Sequence, residues 1–167
     1  MAHWTVINQT ILNLHTPYNH VRTDYGYRFE TDFGFIYDLT FIRYPTLSEC
    51  PEYVLFMFNI EQVKKGKTSV DERIQLTIEH VLSLFFENNS DAVVVVMDST
   101  DGKHLARKRL FDKWYHQTGK ISIEKYEASC KTEEIEIITT LFVEKNNPFK
   151  NIILSDYYEL VKINFYS

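Results

Sequence analysis

The sequence predicts a single α+β domain, a mostly antiparallel sheet with two main helices packed on one face, in the order βββαβαββα. Three observations carry this. Residues 27–41 alternate apolar and polar side chains, and 120–130 and 134–143 read as two more strands, the second with Ile135, Ile137, Thr139, Leu141 and Val143 on one face. The run Ala92-Val-Val-Val-Val-Met97 is apolar without alternation, as a strand covered on both faces is. The stretches after Ser69 and Asp101 change to spacings of three and four, the period of helices with one apolar side.

Composition sets the bounds. A chain of 167 residues with 44% hydrophobic content is long enough to build one core and bury roughly 70% of its unfolded-chain surface. Its 12 Phe and 11 Tyr against 5 Gly and 4 Pro leave little flexible linker. The formal charge of -5 argues against general affinity for nucleic acid or anionic membranes unless basic residues cluster. Cys50 and Cys130 are too few for a disulfide framework or zinc site, so free thiols in a reducing compartment are expected. The first residues lack a basic and apolar leader and no run reaches membrane-span length, so a cytoplasmic protein without membrane partners is expected.

Residues 1–24 are expected to form an N-terminal arm on a domain covering 25–167. Pro17 interrupts any helix there, and His3, His15 and His20 lack metal-ligand spacing. Tyr27 to Thr31 and Phe35 to Phe41 form a hairpin, turned by Thr31-Asp32-Phe33-Gly34. The Asp-Phe-Gly triplet also occurs at kinase magnesium sites, but here no glycine-rich loop or catalytic-loop motif accompanies it. Tyr53 to Asn59 is apolar on both sides and predicts an internal strand. Ser69-Val-Asp-Glu72 matches a capping box, opening a helix whose Ile74, Ile78, Val81, Leu82 and Phe85 face the core. His80 borders that stripe and is expected to be structural. Beyond the central strand and second helix, Lys120 to Cys130 and Glu134 to Val143 predict two strands. Asn146-Asn147-Pro148 breaks the pattern, and a short closing helix is expected from Ser155.

The candidate site is the turn where the central strand hands over to the second helix, the place at which open α/β sheets bind ligands. Its residues are Asp98, Ser99, Asp101, Lys103, His104 and Arg107. In the plainest account a side chain there caps the helix. In a second, the free amides with Lys103, His104 and Arg107 hold a phosphate, although no GxGxxG or GxxxxGK[ST] is present. In a third, Asp98 and Asp101 hold Mg²⁺; no third ligand is evident, and no catalytic residue, resident metal or cofactor is assigned. Arg107 shares a face with Phe111 and Trp114, and a pair with an acidic residue on a neighbouring strand is expected. Lys103, Lys108, Arg109 and Lys113 are expected to point outward, a local basic face that a nucleic acid can use but an ordinary solvated helix explains.

The pattern Tyr27-x-Phe29-x-Thr31-Asp32-x-Gly34-x-x-Tyr37-x-x-x-Phe41, then Thr77-Ile78, Phe85-Phe86, Asp98-Ser99-x-Asp101 and Arg107-x-Arg109-Leu110-Phe111-x-x-Trp114, resembles an uncharacterised family of small Bacteroidetes proteins, a domain of unknown function, over about residues 17–167. The resemblance implies a compact α+β fold and supplies no catalytic residues. Proteins of this size and style are similar to immunity proteins and other components of bacterial conflict systems, an analogy of type alone. A protein-interaction module, an inhibitor or accessory subunit, is therefore the leading expectation; the alternative is a phosphate-handling enzyme, a nuclease or nucleotidyl-type activity, at residues 98–107.

Overall fold

The computed structural model describes residues 16–44, 52–64, 66, 71–87, 91–117 and 122–166. Along the chain these form β1 (His20–Thr23), β2 (Gly26–Glu30), β3 (Ile36–Arg43), β4 (Leu55–Gln62), α1 (Glu72–Phe85), β5 (Ala92–Asp98), α2 (His104–Gln117), β6 (Ile123–Lys131), β7 (Glu136–Glu144) and α3 (Lys150–Tyr166). The strands hydrogen-bond in the order β1-β2-β3-β4-β5-β7-β6. The fold is the expected α+β domain with one mostly antiparallel sheet, and β4 with β5 is a parallel pair. Two compact units divide the chain, with β3 and β4 each split between them.

The first unit comprises Met1–Thr40 and Ile60–Phe85. Residues 20–23, expected in the arm, instead form the edge strand β1 on β2. Val21 and Arg22 are both exposed, so no alternation marked this strand. Tyr18 is buried and stacks on Phe29, which stacks in turn on its cross-strand partner Tyr37 at 5.1 Å. The predicted turn at 31–34 is present: the Gly34 amide donates to the Thr31 carbonyl at 2.9 Å, and the Phe35 amide to the Thr31 hydroxyl at 3.1 Å.

Helix α1 starts at Glu72 because the Asp71 carboxylate accepts from the Arg73 amide at 3.0 Å, satisfying an orphan donor of its first turn. The predicted capping serine, Ser69, lies outside the described residues. Ile78, Val81 and Leu82 are fully buried, as their spacing requires. Arg73 ties this end together: its guanidinium lies 3.8 Å from the centre of the Tyr18 ring and pairs with Asp32 at 2.7 Å. The Tyr18 hydroxyl donates to Asp71 at 2.7 Å.

The second unit comprises Phe41–Asn59 and Phe86–Ser167. Its centre is β5, parallel to β4 on one side and antiparallel to β7 over seven residues on the other. Ala92, Val93, Val94, Val95 and Met97 are all buried, which accounts for the missing alternation. Helices cover both faces of this part of the sheet. On one face Phe142 of β7 meets Phe111 and Trp114 of α2. On the other its neighbours Leu141 and Val143 join Ala92, Val94, Leu55 and Tyr53 against Ile153, Tyr157, Leu160 and Val161 of α3. The period of two in β7 assigns each side chain to its helix.

Helix α3 is 17 residues long and begins five residues before the short closing helix expected from Ser155. Asn147-Pro148, which suggested a break, is its cap. The Asn147 side-chain oxygen accepts from the Phe149 amide at 2.8 Å, and proline is at home in a first helical turn, where no amide is needed.

Candidate functional site

The end of β5 and the start of α2 bring the six predicted residues together, and hydrogen bonds within the chain define each role. The Asp98 carboxylate accepts from the Thr100 amide at 3.0 Å and from the Thr100 hydroxyl. Those two bonds, and the nearby Arg107 charge, hold its pKa below the usual carboxylate value against an opposing contribution from burial. Ser99 extends the β-ladder: its amide donates to the Glu136 carbonyl at 2.9 Å, and its hydroxyl accepts from the Glu136 amide at 2.9 Å. Gly102 completes the reversal with φ +70°, its amide donating to the Ser99 carbonyl at 3.0 Å.

Asp101 locks the helix start. One carboxylate oxygen accepts from the Lys103 amide at 2.9 Å and the other pairs with Arg107. The partner of Arg107 is thus this turn, six residues back, rather than an acidic residue on a neighbouring strand. The guanidinium curls toward its own helix N-terminus, where the carboxylate is also favoured by the helix dipole. His104 is buried, with Nε2 3.3 Å from the Glu136 carboxylate. Lys103 is exposed.

This geometry matches the capping account. An incoming phosphate meets two carboxylates already bonded to the amide of Thr100 and the amide of Lys103. Among the described residues no group of three or more His, Cys, Asp or Glu is placed to hold a metal ion. Those described residues include His20, whose ring packs edge-on against His80 at 5.3 Å.

The outward basic face is partly neutralised. Lys103, Arg109 and Lys113 are exposed, but Lys108 is half-buried, 2.8 Å from Asp112 and 2.9 Å from Glu127 on β6. Lys125 on β6 pairs with Asp112 and sits 3.2 Å from Glu127, closing a ring of four alternating charges. Burial opposes both ionised forms; the pairing outweighs it, lowering the Asp112 pKa and raising that of Lys108.

Sequence patterns gave no sign of the other feature of the second unit, a hollow of about 260 Å³ beneath α3. Met57, Val94, Val96 and Thr139 from the sheet form its floor, and Tyr44, Tyr157, Leu160 and Val161 its walls. Apolar residues at strand and helix spacing look the same in a sequence whether they fill a core or line a space. A polar residue among its lining is Thr139 of β7. Its hydroxyl lies 2.8 Å from that of Tyr157, which also donates to the Thr139 carbonyl at 3.1 Å. Burial pushes the Tyr157 phenol up to about 12.

Among the described residues no helix is long and apolar enough to cross a membrane. No curated protein and no solved structure matches the chain. The family of unknown function DUF6169 matches residues 70–159, which end in the middle of α3. The match takes in Thr77-Ile78, Phe85-Phe86 and the whole turn from Asp98 to Trp114, and leaves the Tyr27 to Phe41 hairpin outside. Spanning more than half of the sequence, it shows that the chain belongs to this DUF6169 family.

Proposed function

We propose that the protein is a cytoplasmic protein-interaction module that binds an extended segment of a partner by adding a strand to the free edge of β6. The observation that carries this is the direction of the β6 backbone. Among the described residues β6 stands last in the strand order, paired only with β7. The bonds from Lys145 to Ser122 and from Thr132 to Ile135 fix the ladder, so the even-numbered residues of β6 exchange bonds with β7. Lys125, Glu127, Ser129 and Lys131 therefore turn their amides and carbonyls outward, a row of donors and acceptors suited to an incoming strand.

The test is Ser129→Pro. Proline removes an outward amide, which edge strands tolerate, while the bonds from β6 to β7 survive. Affinity capture with the wild-type chain and the variant, compared by quantitative mass spectrometry, is expected to show a partner retained by the first and reduced at least tenfold with the second. Equal capture of every protein by both sinks the reading. The finer form of the proposal, an inhibitor, immunity or accessory subunit of a bacterial conflict system, is supported by small size and acidic charge; it predicts a stable complex with the product of an adjacent gene. A melting midpoint raised by Mg²⁺ with nucleotide would favour the turn at 98–107 as a phosphate-handling site instead.

A further inference from the structure

The hollow beneath α3 is a feature that close-packed interiors avoid, since voids larger than a water molecule are few in a domain. It is half open, since Tyr44, Met57 and Val96 are partly exposed, but the rest of its lining is interior. Val94, Thr139, Tyr157, Leu160 and Val161 are each at least nine-tenths buried. A cavity of about 150 Å³ lined by aliphatic side chains stays dry and admits benzene; this one is larger, at about 260 Å³. Among the described residues no carboxylate, ammonium or guanidinium lines it.

The two hydroxyls set the polarity of an occupant. The Tyr157 proton goes to the Thr139 carbonyl or hydroxyl, and the Thr139 proton goes to the Ala128 carbonyl or to Tyr157. With the Thr139 proton on the Tyr157 oxygen at 2.8 Å and the Tyr157 proton on the Thr139 carbonyl at 3.1 Å, both are committed within the protein and the hydroxyls offer a guest lone pairs. We infer that the second unit binds a neutral, apolar small molecule of about ten heavy atoms whose single polar tip donates a hydrogen bond to the Thr139–Tyr157 pair. A carboxylate of the same size fits the volume but finds no donor, and loses its hydration on entry. This site is independent of the β6 edge, so either survives failure of the other.

The chemistry is shared by aromatic alcohols and aliphatic ones, and both serve as probes of the full chain. Titration with 2-naphthol and with 1-octanol, followed by methyl NMR, is expected to shift the methyl resonances of Val94, Val96, Leu160 and Val161. Saturation by the first alone makes the site aromatic-selective, by the second alone aliphatic-selective, and either supports the inference. 2-Naphthoate is expected to bind at least tenfold more weakly than 2-naphthol. Val96→Phe, which fills the space, is expected to abolish the shifts. Thr139→Val keeps the shape and removes one of the two acceptors, so 2-naphthol is expected to lose part of its advantage over naphthalene; Thr139→Val combined with Tyr157→Phe is expected to bring it down to the affinity of naphthalene, and this pair serves if Val96→Phe does not fold. No methyl shift with either alcohol up to its solubility, binding undiminished in Val96→Phe, or naphthoate binding as well as naphthol overturns the inference.

Discussion

Gly26 shows how far a single position is determined. A Cβ placed there would lie 2.0 Å from the Leu39 carbonyl oxygen of the paired strand, an atom fixed in the ladder and unable to retreat. Gly26→Ala must push β2 and β3 apart, and is expected to destabilise the protein by about 2 kcal/mol or more, read as a lower urea midpoint. A midpoint unchanged within error would show that the hairpin yields. At the turn, the sequence revealed where the polar corner lies but not how its side chains pair. Arg107 had acidic residues available on either side, and only the coordinates show it turning back to Asp101. The reciprocal bonds between Ser99 and Glu136 join residues 37 apart, beyond any local pattern. Sequence spacing reports which face a residue occupies, and says little about which of several partners at similar reach it takes.

Among the elements, α2 depends on charges that its sequence suggested were solvated. Asp112 sits between Lys108 and Lys125, with its folded pKa below the unfolded value. Its contribution is complete above the unfolded pKa near 4 and is lost as pH falls through the folded value. Asp112→Asn is therefore expected to flatten the fall in stability with acid below about pH 4, and to lower stability at pH 7 by about 0.5–1 kcal/mol, the pair being half-exposed. Urea midpoints across pH check this; an acid limb as steep as that of the wild type would refute it. The strands from β2 onward and the helices α1 and α2 were legible because each either buries one face with its own period or, like β4 and β5, is an apolar run bounded by turns. Two elements were not. β1 is an exposed edge of four residues without a buried face, and the start of α3 was hidden because Asn-Pro signals a stop and an N-terminus equally well.

For the molecule as a whole, neither compact unit is a continuous piece of chain. The second unit takes β4 residues from before α1: Leu55, Phe56 and Met57 pair with β5, while Tyr53 and Leu55 belong to its core cluster. The Tyr53 hydroxyl also donates to the buried Asp156 carboxylate of α3. A fragment covering 86–167 keeps five elements and most of the apolar side chains, yet leaves Asp156 without this donor and one flank of β5 without its parallel neighbour. It is expected to be unfolded, with a collapsed amide NMR spectrum; a dispersed spectrum would show that β4 is dispensable. The family match, running from 70 to 159, likewise omits β4 and thus marks a stretch of sequence rather than a folding unit.

The placement of β7 between β5 and β6 has a consequence in time. During synthesis the valine-rich β5 leaves the ribosome about 40–50 residues ahead of the strand that pairs with it, since Asp98 meets Ile137 and Ala92 meets Val143. At ordinary elongation speeds of about 5–20 residues per second, this apolar edge waits roughly 2–10 s for its neighbour. That interval is when a nascent chain is most exposed to wrong pairings with other chains, and it makes β5 the segment a chaperone would hold.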